Sequence, residues 1–245
     1  MLNYIFLGIL QGILEWIPIS SEGIVSLFSN FLVKENVVSF ALFLHLGTFF
    51  SAVVYFRKEI AKVIKFQNFK FSLFIIFTTI ISLIVGFPLY LSIKHIPSLE
   101  ILLIVMGGGL FLTGYFNKAK RKFYIKTRYL PIVVGILQGI SVIPGISRSG
   151  STIFGLSLGK YSPYEILKIS YILSLPITFC SSLYLITFKE VNFNFNAIIS
   201  LITSFLVGIL MLHLLLKYIQ KINFSKFCFI FGSLCVIGGI INFFL

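Results

Sequence analysis

The chain has 245 residues, of which 58% are hydrophobic and only 11% are charged, and its formal net charge is +13 at neutral pH. A soluble domain carries charge on roughly 25% of its residues, so this composition excludes a soluble globular protein and predicts an integral membrane protein. The positive balance does not predict nucleic-acid binding, because the lysines and arginines lie between hydrophobic runs, where they orient a membrane protein.

The first hydrophobic stretch, residues 4–33, is long enough in total to cross a membrane, but the segment from Pro18 to Gly23 interrupts it. Each arm is then about 12–14 residues long, whereas a spanning helix needs about 20. Irregular backbone at membrane depth is tolerated only where it is buried in protein or lines a cavity. We therefore predict a re-entrant helical hairpin whose polar tip points into the protein.

Three uninterrupted hydrophobic runs come next and predict full transmembrane helices at 37–56, 71–92 and 100–116. Each run is close to the length of about 20 residues that a spanning helix needs. The segment 117–129 that follows them is basic and predicts a loop, as does the basic segment 57–70 between the first two runs.

The broken pattern returns in residues 130–159, where the segment from Pro144 to Gly150 predicts the tip of a second re-entrant hairpin. Three further hydrophobic runs predict spans at about 165–187, 194–216 and 225–244. The predicted fold class is an all-α integral membrane protein with six transmembrane helices and two re-entrant helical hairpins. Residues 1–245 are expected to form a single membrane domain of two repeats, about 1–116 and about 130–245.

The two interrupted stretches are copies of one motif. Residues 8–23 read GILQGILEWIPISSEG and residues 135–150 read GILQGISVIPGISRSG, with nine identities in sixteen ungapped positions. Isoleucine and leucine recur by chance in a hydrophobic chain, but glutamine, glycine and serine do not easily fall in the same register as well. The chain therefore contains an internal repeat.

The basic residues predict an orientation. In this topology 16 lysines and arginines lie on one side of the membrane and three on the other, with Arg148 inside it. Basic residues mark the cytoplasmic side, so we expect a multi-pass protein of the cytoplasmic membrane. Three spans separate the hairpins, which therefore enter from opposite sides, and inverted repeats of this kind bring their polar tips together near the midplane. The sequence thus predicts an inverted-topology repeat with one polar pocket lined by residues 11–23 and 138–152.

The second polar tip has the composition of an anion-binding site. Arg148 offers a planar fork of donors that suits phosphate. Glycines and the start of a following helix turn backbone N–H groups toward an anion. The other candidate phosphate-binding residues are Ser147, Ser149, Ser151, Thr152, Gly145 and Gly150 in this tip and Ser20 in the first tip.

The first tip carries carboxylates. Glu15 follows Gln11 by four residues, so both side chains face one side of a helix. Either Glu15 forms a buried ion pair that only fixes the fold, or it holds a divalent cation, Mg²⁺ or Ca²⁺, against the phosphates of a ligand. His45 is either a satisfied core residue or a proton carrier or phosphate partner in the pocket. Glu22 is either a second carboxylate of the site or a residue at the pocket mouth.

Two segments resemble the signatures of a known family. QGILEWIPISSEG is similar to the first signature of the undecaprenyl-diphosphatase family, also called bacitracin-resistance proteins, and PGISRSGST at 144–152 is similar to the second. LHLGT at 44–48 and ISYILSLP at 169–176 also resemble family segments. The resemblance implies removal of the terminal phosphate of undecaprenyl diphosphate, which regenerates a lipid carrier for cell-wall glycans.

The resemblance also implies roles for single residues. Gln11 and Glu15 occupy the positions of the family's Glu/Gln-x-x-x-Glu pattern and are the candidate ligands of the divalent cation. Ser21 is the candidate nucleophile or catalytic hydroxyl, with water as the alternative nucleophile, and Arg148 binds phosphate.

One position departs from the family pattern. Family members commonly have His directly after the glycine of the first signature, where this chain has Ile24. If that histidine acts as a general acid or base, Glu22, His45 or a metal-bound water has to replace it here.

A transporter is the alternative function, since inverted repeats with broken helices are the usual architecture of alternating-access carriers. A flippase for a polyprenyl phosphate lipid would use the same pocket without chemistry. The expected partners are the polyprenyl diphosphate lipid and the membrane, and the formation of a homodimer is left open.

Overall fold

The computed structural model describes residues 1–17, 21–33, 37–93, 125–143, 146–187 and 194–218, together with single residues between 101 and 115 and between 225 and 240. For some residues inside the helices, Glu22 among them, only the backbone is described. Throughout these segments the regular secondary structure is helical.

The helices follow the predicted order of elements. They are α1 Leu2–Leu14, α2 Ser21–Leu32, α3 Val37–Tyr55, α4 Arg57–Ile64, α5 Phe69–Ile93, α6 Leu130–Ile140, α7 Arg148–Ser157, α8 Pro163–Thr187 and α9 Phe195–Tyr218. Helical residues also occur within the predicted spans 100–116 and 225–244, but only part of each is described, so the lengths of these two spans stay predictions.

Among the described residues, three helices are long and hydrophobic enough to cross a membrane, and they correspond to α5, α8 and α9. Their candidate spans are Phe69–Ser92, Pro163–Tyr184 and Phe195–Tyr218. These spans confirm that the hydrophobic runs at 71–92, 165–187 and 194–216 form single long helices. Helix α3, Val37–Tyr55, has 19 residues.

Both copies of the repeated motif break into two short helices, as predicted. In the first copy α1 has 13 residues and α2 has 12, and in the second copy α6 has 11 and α7 has 10. A helix rises 1.5 Å per residue, so none of the four reaches the roughly 30 Å of a bilayer core. The interruption by proline and small polar residues therefore limits the arms as the sequence predicted.

Polar residues determine where the long helices begin. At the start of α5, Asn68 Oδ1 accepts a hydrogen bond from the Phe71 N–H at 3.2 Å. At the start of α9, Asn194 Oδ1 accepts one from the Ala197 N–H at 2.7 Å. Ser162 and Glu165 form a capping box at the start of α8, in which the Glu165 carboxylate accepts from the Ser162 N–H at 2.8 Å. These side chains satisfy the N–H groups that a first helical turn leaves without partners.

One segment predicted as a loop contains a helix. Within the basic segment 57–70, residues Arg57–Ile64 form α4. Its sequence RKEIAKVI is rich in residues with high helix propensity, and Glu59 in the first turn and Lys62 in the last turn match the helix dipole. The basic residues that predict the cytoplasmic side for this segment are therefore also good helix formers.

The chain divides into two compact units. The first contains Met1–Trp16, Ser21–Ser72 and Tyr171–Ile219, and the second contains Ile17–Ser20, Leu73–Ser170 and Gln220–Leu245. In the first unit, α1 packs closely against α9 through glycines. A Cβ added to Gly8 would lie 2.4 Å from the Ser200 carbonyl oxygen, and one added to Gly12 would lie 2.8 Å from Val207 Cβ.

In the second unit, α6 packs against α5 in the same manner. A Cβ added to Gly135 would lie 2.9 Å from the Thr78 carbonyl oxygen, and one added to Gly139 would lie 2.7 Å from Val85 Cβ. In both units two glycines four residues apart let helix backbones approach closely, as small residues do in membrane helix pairs.

These two helix contacts are equivalent under the repeat. Gly8 aligns with Gly135 and Gly12 aligns with Gly139, and their contact segments 200–208 and 78–86 are also similar, with four identities in nine positions. The internal repeat therefore extends into the long helices α5 and α9. The first short helix of each repeat packs against the helix of the second predicted span of the other repeat.

Candidate functional site

One carboxylate oxygen of Glu15 contacts three other side chains in the first unit. Gln11 Nε2 and Ser21 Oγ each donate a hydrogen bond to Glu15 Oε2 at 2.8 Å, and His45 Nε2 lies 3.0 Å from the same oxygen. All four residues are buried, and Glu15 is only 4% exposed. Hydrogen bonds to a buried ionised group are stronger than those between neutral groups, so this cluster holds Glu15 in a defined position.

Three helices supply the Glu15 cluster. Gln11 lies in the last turn of α1, and Glu15 directly follows that helix, where its N–H donates to the Gln11 carbonyl at 3.1 Å. Ser21 begins α2 after the break, and His45 lies in α3. The prediction that Gln11 and Glu15 share a face is confirmed. The first residue of α2 therefore contacts the residue that directly follows α1.

The imidazole of His45 is held at both nitrogens. Nδ1 lies 2.9 Å from the Ala41 carbonyl oxygen, and because a carbonyl only accepts, Nδ1 carries a hydrogen. Nε2 faces Glu15 at 3.0 Å, so one proton lies between the ring and the carboxylate. His45 is thus a partner of Glu15, and its predicted direct contact with phosphate stays a prediction.

Two buried polar atoms of the first motif have no hydrogen-bond partner among the described residues. They are Oε1 of Gln11, whose residue is fully buried, and Nε1 of Trp16, which directly follows Glu15 and is 1% exposed. Trp16 was not among the predicted site residues. A signal was present, because the only tryptophan of the chain lies inside the first repeated motif.

The second tip begins α7 in the second unit. Ser147 is the N-cap residue: its hydroxyl accepts from the Gly150 N–H at 3.1 Å, and its carbonyl accepts from the Ser151 N–H at 2.8 Å. Ser147 Oγ also lies 3.1 Å from Ser149 Oγ. Arg148, the first residue of the helix, is half-buried. A guanidinium at a helix N-terminus is a favourable arrangement for an anion.

Several predicted phosphate-binding hydroxyls hold the second tip together. Thr152 Oγ1 lies 3.0 Å from the Arg148 carbonyl and 2.5 Å from Ser170 Oγ. Ser149 Oγ donates to the Ile17 carbonyl at 3.0 Å. Since Ile17 belongs to the first repeated stretch, the second unit contains a contact between the two copies of the motif. A direct bond from these hydroxyls to phosphate stays a prediction.

Some predicted site residues lie outside the described residues. These are Ser20, Gly145 and the side chain of Glu22. The Glu15 cluster belongs to the first unit and the Arg148 tip to the second. Ile24, at the position where the family commonly has His, is a buried apolar residue of α2 with 5% exposure.

The Glu15 cluster fits a divalent cation by the chemistry of its atoms. Oε1 of Gln11 is a buried acceptor that lacks a donor, and Glu15 supplies a carboxylate one helical turn away. Among the residues that the structure describes, no three His, Cys, Asp or Glu form a metal-binding group. A cation here would thus take few protein ligands, as Mg²⁺ does when substrate phosphates complete its shell.

Residues 4–240 match the model of a protein family described as bacitracin resistance protein BacA. Curated relatives named undecaprenyl-diphosphatase are similar over almost the whole chain. The relative from Haloarcula marismortui is 32% identical and aligns with 97% of this chain and 96% of its own length. The relative from Sulfurisphaera tokodaii is 31% identical and aligns with 99% of this chain and 98% of its own length. The relative from Thermosipho africanus is 32% identical, and the alignment covers both chains completely.

The family match agrees with the three long hydrophobic helices, and the protein is a membrane protein. The matched residues include both copies of the repeated motif, and with them the Glu15 cluster and the Arg148 tip. Both signatures that the sequence predicted are therefore inside the family match. The chain belongs to the BacA family of bacitracin resistance proteins.

Proposed function

We propose that the protein hydrolyses undecaprenyl diphosphate to undecaprenyl phosphate and inorganic phosphate. The family match and the names of the relatives support this activity. The observation that carries it in the structure is the serine hydroxyl bonded to a buried carboxylate, Ser21 Oγ to Glu15 Oε2 at 2.8 Å. The reaction would return the lipid carrier to cell-wall glycan synthesis, and the family's description as bacitracin resistance proteins agrees with this.

Ser21 is the proposed nucleophile. Its hydrogen bond to Glu15 is within the range that proton transfer from an attacking hydroxyl requires. Glu15 accepts the proton as Ser21 Oγ bonds to the terminal phosphorus, and the bond from that phosphorus to the bridging oxygen breaks. Undecaprenyl phosphate leaves, and water then hydrolyses the phosphoserine to release inorganic phosphate. His45 and Gln11 hold the carboxylate in place during both steps.

Arg148 is the proposed partner of the phosphate charge. It is half-buried at the N-terminus of α7, where the helix dipole adds to its charge. Phosphoryl transfer depends mainly on positioning and on neutralising the charge of the phosphate oxygens. The proposal that Arg148 and Glu15 act on the same substrate is supported by the resemblance, which includes both signature segments.

A divalent cation, Mg²⁺ or Ca²⁺, is the proposed cofactor. Glu15 and Oε1 of Gln11 would hold it, as the unpartnered amide oxygen supports. When bound, it would neutralise charge on the phosphates of the substrate. Removal of the cation by a chelator should abolish phosphate release, and added Mg²⁺ should restore it.

Release of phosphate from undecaprenyl diphosphate by the purified protein in detergent tests the proposed function. Detergent micelles have no second compartment, so transport of the lipid cannot generate the signal. Glu59→Gln, on α4 and outside the cluster, should match wild type. Absence of phosphate release by wild type, with tight binding of the lipid, would instead favour a carrier.

We also propose that the six spans and two re-entrant hairpins form an inverted repeat in the cytoplasmic membrane. Support comes from the four short helices and from the equivalent packing of α1 on α9 and α6 on α5. Single-cysteine labelling in a cysteine-free background should find position 122 on the cytoplasmic side and position 95 outside. Labelling of both positions from one side would contradict the inverted topology.

A further inference from the structure

Trp16 is a buried donor that nothing in the described protein satisfies. It is 1% exposed, and its indole Nε1 has no hydrogen-bond partner. An indole nitrogen only donates, so it cannot be satisfied by a change of tautomer or by a rotated amide. A buried donor without an acceptor destabilises the folded state, and a phenylalanine ring would avoid this penalty. The described part of the protein therefore offers no acceptor to this N–H, and a bound ligand can supply one.

The indole ring is also held in place. Its centroid lies 5.2 Å from that of Tyr171 in an edge-to-face contact with an interplanar angle of 70°. The Tyr171 hydroxyl donates to the backbone carbonyl of Trp16 at 2.7 Å. Ring and backbone are thus fixed by the same neighbour, and the N–H has a defined direction before any ligand arrives.

The first motif contains an unsatisfied acceptor as well as this donor. Trp16 directly follows Glu15 in the chain, and the Gln11 amide, whose Oε1 lacks a partner among the described residues, donates through Nε2 to Glu15. An apolar ligand would satisfy neither atom. A ligand that combines a cation with anionic oxygens would satisfy both, because the cation takes the amide oxygen and an anionic oxygen takes the indole N–H.

We propose that the indole N–H of Trp16 donates a hydrogen bond to an oxygen of the terminal phosphate of the substrate. This inference rests on the proposed phosphatase function. Trp16 is then a substrate-binding residue of the Glu15 cluster, and it selects an anionic head group over an uncharged lipid. Its donor stays available because Tyr171 keeps the ring from turning away.

Intrinsic fluorescence tests the contact directly, since the chain contains one tryptophan. Excitation that avoids tyrosine reports on Trp16 alone. A methylene-bridged analogue of undecaprenyl diphosphate, which is not hydrolysed, should shift the emission of the wild-type protein, and undecaprenol should not. An equal response to the analogue and to undecaprenol would overturn the proposal.

Variants at position 16 test the energetic role of the donor. Trp16→Phe should raise KM for undecaprenyl diphosphate about tenfold to a hundredfold, the value of one hydrogen bond to a charged oxygen. Benzothienylalanine at position 16 keeps the ring shape but replaces the N–H by sulphur, so it should raise KM as well. This benzothienylalanine variant also tests the role of the N–H if Trp16→Phe does not fold.

Ser29→Ala is the matched control, because it removes another buried polar group of the first unit, a hydroxyl that has no partner among the described residues. Its KM should equal that of wild type. A merely structural role of Trp16 would lower stability or kcat and leave KM unchanged, and that result in both position-16 variants would overturn the proposal. If wild type releases no phosphate, the proposed function fails, whereas the fluorescence response to the analogue still decides whether Trp16 meets an anionic head group.

Discussion

Glu15→Gln should separate the charge of the Glu15 cluster from its shape. Gln11, Ser21 and His45 all approach one oxygen, Oε2, of the carboxylate. A glutamine at position 15 has almost the same shape and can place its amide oxygen at that point. The three contacts therefore keep their geometry, while the negative charge is lost.

The size of the effect follows from the number of contacts. A hydrogen bond to a charged group contributes about 1.5–3 kcal/mol and a neutral one about 0.5–1.5 kcal/mol, so each contact weakens by about 1 kcal/mol. Three contacts give about 3 kcal/mol, which corresponds to roughly two orders of magnitude in rate if all of it is expressed in the transition state. Loss of the proton acceptor for Ser21 adds a factor of about 10²–10⁴. We expect kcat to fall at least a hundredfold.

The assay is phosphate release from undecaprenyl diphosphate in detergent, with Glu59→Gln as the control for loss of one carboxylate. Thermal unfolding should show that both variants stay folded. A Glu15→Gln protein with kcat within about threefold of wild type would refute this reasoning, because neither the charge nor the proton acceptor would then be used.

Arg148→Lys should lower turnover by roughly two to three orders of magnitude, because lysine keeps the charge but loses the planar fork. The control Arg128→Lys, at an exposed position, should keep wild-type turnover. Equal turnover of the two variants would make Arg148 only a structural counter-ion. His45→Gln retains an N–H that can donate to Glu15, so phosphate release should exceed that of His45→Leu about tenfold or more; equal rates would show that this contact is not needed. Gly8→Ala should lower the free energy of unfolding by about 1–3 kcal/mol through overpacking, since the added Cβ would lie 2.4 Å from a backbone oxygen. A Cβ added to Gly108 would meet no atom within 4 Å, so Gly108→Ala should leave that free energy unchanged or raise it. Denaturant unfolding measures both.

Local features of the site were predictable from spacing. Gln11 and Glu15 are four residues apart, and a helix places such residues on one face, as the 2.8 Å contact confirms. The short arms also followed from the proline and the small polar residues in each motif. Both inferences need only the geometry of a single helix, which the sequence determines directly.

Contacts between helices were not predictable in the same way. Ser21 begins a separate helix, and its contact with Glu15 depends on how α2 packs against the end of α1. His45 was a candidate, but its link to Glu15 comes from α3, whose position no sequence spacing encodes. Trp16 had the signal of being unique, yet its unsatisfied N–H depends on every neighbour of the ring.

The exchanged packing of the repeats has a consequence for how the protein is made. Gly8 and its contact at Ser200 are separated by 192 residues, whereas Gly135 and its contact at Thr78 are separated by 57. During synthesis α6 emerges when α5 already exists, so it can dock at once. Helix α1 leaves the ribosome well before α9 and must wait for it, and contacts between such distant segments form slowly. We therefore expect the packing of α1, the helix that precedes Glu15, to be completed after that of α6, so that the protein becomes active only when α9 has entered the membrane.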